Sequence, residues 1–175
     1  MTPGRSSAAR VAHMGMLFAL ALVLSLLEGA APLPLPVPGA RIGLSNIVVM
    51  YCLFLRGAGS AYLLGVLKAM FVLMTRQASG ALLSLSGGIL SITAMLLIMR
   101  FYKGGFTAVS VGGAVAHNLG QLFCASLYLG EKNILLFYLP PLAAVGVLVG
   151  LLTAVLFRAV LPAINRIPAG GREGS

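Results

Sequence analysis

Three hydrogen-bonding side chains, His117, Asn118 and Gln121, fall within one short run, VGGAVAHNLGQL (Val111–Leu122), of an apolar chain. At 100° per residue they share a helix face with Gly113, Ala114 and Cys124, and Gly120 lies at its edge. Val115, Leu119, Leu122 and Phe123 occupy the other face. A polar cluster at membrane depth is costly without partners. It reads either as interhelical glue, worth about 0.6–2 kcal/mol per contact, or as a ligand site. Lys68 is the second anomaly. It lies about 17 Å along a helix from Arg56, too deep for easy snorkelling. An ammonium there bonds a hydroxyl or backbone carbonyls, or it serves function. In the topology expected below no carboxylate lies near it, so an anionic ligand or a partner subunit would supply the counter-charge. Glu28 and Arg41 bracket a proline-rich strip and either pair at the interface or touch substrate. Asn46 and Arg76 complete the candidate site, at the same expected end of the molecule. Arg41, Lys68, Arg76 and His117 together lean toward an anionic ligand.

These residues need helices in lipid to position them. The 175 residues are 59% hydrophobic and 9% charged, against about 25% charged in a soluble domain. Mean hydropathy is +1.03. The net charge of +9 does not suggest nucleic acid, because the basic residues sit near the ends of apolar runs. Aspartate is absent, and the acids are Glu28, Glu131 and Glu173. That excludes an aspartate-rich Mg²⁺–diphosphate site within this chain. Cys52 and Cys124 lie inside apolar runs and read as packing residues. No metal motif, phosphate loop or nucleophile elbow is present. No cofactor and no catalytic residue is expected.

Six apolar runs predict an all-α bundle of about six transmembrane helices. They cover about Val11–Leu27, Ile42–Leu55, Ala58–Thr75, Ser79–Met99, Thr107–Leu129 and Leu139–Ala159. Residues 1–10 form a cytoplasmic segment, 11–160 the membrane domain and 161–175 a flexible cytoplasmic tail. The first run could be a signal peptide, but Glu28 and a proline stand where cleavage needs small neutral residues. With the N-terminus inside, eight Lys or Arg fall on that side and three on the other. The positive-inside rule then puts both termini in the cytoplasm.

Small residues mark the seams. Gly146, Gly150 and Ala154 form one in the sixth run. Gly80, Ser84, Gly88 and Ser91 share a face of the fourth, with Gly87 beside it. Gly15 and Ala19 mark the first run, where they pack internally or dock a second membrane protein. Between the first two runs lies PLPLPVPGARIGLSN (Pro32–Asn46), whose stiff apolar stretch reaches about 22 Å. It suits a lid over a site or a rigid interfacial cap.

LSLLEGAAPLPLPVPGARIGLSNIV (Leu24–Val48) resembles the signature region of the bacterial Gx transporter family, also labelled component I of heptaprenyl diphosphate synthase. SLSGGILS (Ser84–Ser91) and VGGAVAHNLGQL resemble its other two segments, in the family's order. The resemblance covers about residues 11–160. It implies a multi-pass protein of the bacterial inner membrane. In size and span count the family is similar to the substrate-binding components of energy-coupling-factor transporters. That similarity implies small-molecule uptake with a separate membrane coupling subunit and ATPases, docked through Gly15 and Ala19. The alternative it implies is a non-catalytic membrane subunit for heptaprenyl diphosphate synthesis. A stand-alone carrier or channel is a third reading.

Overall fold

The computed structural model describes residues 7–30, 44–75, 77–102 and 105–166. Six helices account for nearly all of them: α1 (Ser7–Ala30), α2 (Asn46–Arg56), α3 (Ala58–Thr75), α4 (Ala78–Phe101), α5 (Phe106–Leu129) and α6 (Lys132–Arg166). Val11–Glu28, Ala58–Thr75, Ala78–Phe101 and Leu135–Ala159 are long and apolar enough to cross a membrane. The 24 residues of α5 give it the same reach, about 36 Å, but its buried side includes Ser110, His117, Asn118, Gln121 and Ser126.

The second run, short in the sequence, is a short helix, α2, over its described residues. It has 11 residues, about 16 Å, roughly half the hydrocarbon thickness. Gly57 alone separates α2 from α3. Its φ of +87° suits glycine, and its N–H caps α2 at the Leu53 carbonyl, 3.0 Å away. The two helices therefore form a tight hairpin with unequal arms. α2 starts some seven residues short of the far end of α3, about 10 Å inside the bundle. Ser45 and Asn46, at its start, are only 1% and 3% exposed. A chain end at the membrane surface would be wet; this one begins among other helices.

The helix α1 packs on α2 and α3, whereas α5 lies between α4 and α6. Glycines set those last two seams. A Cβ at Gly120 would stand 2.8 Å from the Ser86 carbonyl oxygen and 2.9 Å from Gly87 Cα. A Cβ at Gly150 would stand 2.5 Å from Val111 Cα. Backbones this close exclude any side chain, and small residues permit such contacts in lipid. The expected seam of the sixth run thus packs on α5. In the fourth, Gly87 makes the close approach, and a Cβ at Gly88 would meet nothing within 4 Å.

Leu122 also departs from its expected place on the outer face. It is 1% exposed and packs with Leu83, Ala125 and Leu142. A helix flanked by two neighbours buries a wider arc than one face. The sixth helix begins at Lys132 rather than near Leu139 and runs through Pro140 and Pro141. Its 35 residues extend about 52 Å, well beyond the hydrocarbon layer.

Candidate functional site

The short helix α2 organises the site. Because Gly57 closes the hairpin, Ser45 stands twelve residues before it and Lys68 eleven after it, so the two meet across the arms. Lys68 is 5% exposed, and its Nζ donates to Ser45 Oγ at 2.8 Å. The backbone N–H of the preceding residue, Leu44, donates to Glu28 Oε1 near the end of α1. A cation from α3 and a carboxylate from α1 thus grip adjacent residues of the turn that enters α2. The helix N-terminus carries partial positive charge, which favours the carboxylate there.

Glu28 and Lys68 also interact electrostatically, and both line one cavity. This overturns the expectation that no carboxylate lies near Lys68. A linear topology places Glu28 at the rim and Lys68 near mid-membrane. The late start of α2 draws the entry turn down to the level of Lys68, and Glu28 bonds to that turn.

Ser25, Ser45, Gly80, Ser84, His117 and Gln121 complete the lining. The cavity measures about 10 Å³, room for about one water. His117 is 2% exposed, and its Nε2 accepts a hydrogen bond from the Gln121 Nε2 amide at 3.0 Å. The ring rests over Gly87, where a Cβ would come within 2.9 Å of both the ring and Gln121 Cγ. The missing side chain at Gly87 therefore seats this pair.

Asn118 does not join it. Its Nδ2 donates to the Leu142 carbonyl at 2.9 Å, and it lies against Gly146 on the α6 side. The polar face of α5 is thus divided: His117 and Gln121 line the cavity, and Asn118 ties α5 to α6. The glue and ligand-site readings each describe part of that face. Asn46 is buried near the cavity level, but among the described residues neither atom of its amide has a hydrogen-bond partner. An unsatisfied buried group costs about 1–3 kcal/mol, so this amide is suited to a further polar partner.

Arg41, Arg76 and the proline strip Pro32–Gly39 lie outside the described residues. Gly15 and Ala19 are exposed on α1, and a Cβ at Gly15 would meet nothing within 4 Å. Sequence reasoning missed Ser25 and Ser45 as lining residues, and gave Gly80 and Ser84 only a packing role. Serines are too common in apolar helices to stand out, but the hairpin count about Gly57 would have found Ser45. A second hollow, about 300 Å³ between α3 and α4, is lined only by apolar residues such as Val66, Met70 and Leu82. It offers nothing to orient a polar ligand.

An all-helical bundle with several apolar spans, and with a buried Lys68 and a half-buried Glu28 at an interior helix start, defines a multi-pass membrane protein with a polar cavity among its helices. The model of the family described as heptaprenyl diphosphate synthase component I matches residues 17–160, and the chain belongs to that family. No curated protein and no solved structure matches it significantly.

Proposed function

We propose that this chain is the substrate-binding subunit of a small-molecule uptake system, with the cavity at the start of α2 as its site. The observation that carries the reading is the convergence of Glu28, Lys68, His117 and Gln121, from three helices, on one buried cavity. Packing alone does not require this many polar groups together in lipid, where each is costly. A discontinuous helix whose N-terminus starts inside the bundle is a recurring way for transporters to present backbone polarity to a ligand. In this reading the cavity end faces outward and both chain ends are cytoplasmic. The chain contains no phosphate loop, so transport is driven by a separate ATPase module. The exposed Gly15 and Ala19 on α1 are the docking face for its membrane subunit. The purified protein is expected to bind a small solute, and His117→Ala or Gln121→Ala to weaken binding at least tenfold. Calorimetric titration and thermal unfolding on the same samples separate the alternatives. A change in stability with unchanged affinity removes the site.

The family's description favours a second reading, a membrane component of polyprenyl synthesis. Without aspartate its part would be non-catalytic, as an anchor or product-handling partner. A prenyl synthase that co-purifies from native membranes and changes product length with this chain would support it; failure to associate counts against it.

A further inference from the structure

A second polar feature lies just below the cavity, between α2 and α4. Asn46 and Ser91 are 3% and 0% exposed. Among the described residues, neither the Asn46 amide nor the Ser91 hydroxyl has a hydrogen-bond partner. Gly88 is also buried, yet a Cβ there would meet nothing within 4 Å. The other buried glycines described would each meet an atom at 3.4 Å or closer. We propose that this gap is a hydration site, in which ordered water bridges Asn46 and Ser91 over Gly88. It stands whether or not the neighbouring cavity takes a substrate.

The helix contacts fix where these residues lie. Lys68 meets Ser45, and Gly65, one turn earlier on α3, packs against Ile92. Because α3 runs antiparallel to both α2 and α4, Asn46 is level with the Gly88–Ser91 turn. The faces agree with the level. On α2, Ser45 faces α3 and Phe54 faces α5. At 100° per residue Asn46 falls between them, on the side of Met50 and Leu53. On α4, Ile92 faces α3 and Gly87 faces α5, and Gly88 and Ser91 fall between those two. α4 itself packs on α3, α5 and α2. The two stretches therefore face each other, one turn from the dry cluster that holds Met50, Leu53, Ile92 and Met95.

An amide and a hydroxyl in direct contact would bond to each other. These two do not, and each costs free energy if left unpaired in an apolar bundle. Water is the occupant that fits. It donates and accepts, as both groups require, and buried waters collect at polar groups that the protein leaves unpaired. A metal cation would find two side-chain oxygens, fewer than its shell needs, and would face the Lys68 ammonium held on the adjacent Ser45. An anion would lose its hydration against Met50 and Ile92. Hydration at this point carries the polar wall of the cavity deeper and gives the first side chain of α2 its partner.

The test uses the full chain in lipid nanodiscs and turns on a reversal of sign. In a dry gap, Gly88→Ala adds contacts and replaces a glycine inside a helix, so the thermal midpoint rises by a few degrees. In a hydrated gap the methyl expels the water and leaves the amide and the hydroxyl unpaired. Gly88→Ala is therefore expected to lower the midpoint by about 3 °C or more. In an Asn46→Leu, Ser91→Ala background the same methyl should raise it, because no polar group is left unpaired. Water-edited solid-state NMR with isotope-labelled asparagine, in deuterated lipid, gives an independent readout. Magnetisation should pass from water to the Asn46 side-chain amide in the wild type and fall sharply in Gly88→Ala. A higher midpoint for Gly88→Ala alone, an equal loss in both backgrounds, or no transfer to the wild-type amide overturns the site. The wild-type spectrum decides it even where a variant does not fold.

Discussion

The two ends of α2 pose opposite problems in the same bundle. Near its C-terminal end, Phe54, Phe106 and Phe157 meet with ring centroids 5.1 to 5.6 Å apart, and Tyr51 lies edge-on to Phe157 at 6.4 Å. Near its N-terminal end, Ser45 and Leu44 hold Lys68 and Glu28. The aromatic end joins α2, α5 and α6 by ring contacts, each worth about 0.5–1.5 kcal/mol beyond area burial. The polar end joins α1, α2 and α3 through a buried ammonium and a half-buried carboxylate, whose desolvation offsets much of their attraction. One end is built to hold; the other holds only as well as its partners allow. A site that admits a ligand needs the second kind of end, anchored by the first.

Variants at the two ends test that division. The largest effect on stability is expected for Phe157→Ala. The side chain is 3% exposed and touches Tyr51, Phe54 and Phe106, so its loss should cost about 3–5 kcal/mol. Unfolding in mixed micelles measures it, and ligand affinity of the folded fraction should stay near wild type.

At the other end the sign should reverse. The double variant Glu28→Gln with Lys68→Met removes both charges together. It is expected to be as stable as the wild type or up to about 4 kcal/mol more stable, while binding is abolished. A large loss of stability would show that the charges hold the bundle together, and the contrast between the ends would fail.

Gly87→Ala sharpens the comparison. The new methyl, 2.9 Å from the His117 ring and Gln121 Cγ, must displace that pair at a cost of about 1–3 kcal/mol. Affinity should fall tenfold or more, a larger change than the drop in thermal midpoint implies for packing alone. The smallest effect is expected at Thr107, beyond the rings, where Arg158 Nη2 donates to Oγ1 at 2.9 Å on the surface. Thr107→Val should change stability by no more than about 0.5 kcal/mol and leave binding unchanged.

Much of the architecture was legible in the residues. The third run, Ala58–Thr75, matches α3 at both ends, because Gly57 precedes it and its apolar run stops at Thr75. The polar face of α5 and the glycines of α6 were visible as helical patterns. The site was less legible. Lys68 stood out as an intramembrane charge, but its carboxylate neighbour lies forty residues earlier on another helix. Asn118 and His117 are adjacent in sequence yet serve different seams, because α5 has a neighbour on each side.

The sequence by itself determined the solvent and the parts: apolar runs of spanning length, small-residue seams, and a few polar groups too costly to be incidental in lipid. Those properties follow from local periodicity and transfer energies, which need no knowledge of neighbours. Only the tertiary structure decided how deep α2 begins, that Glu28 and Lys68 grip the same turn, and which side of α5 faces the cavity. Depth, rotation and convergence depend on how side-chain shapes interlock between helices, a property of pairs of surfaces rather than of any one run.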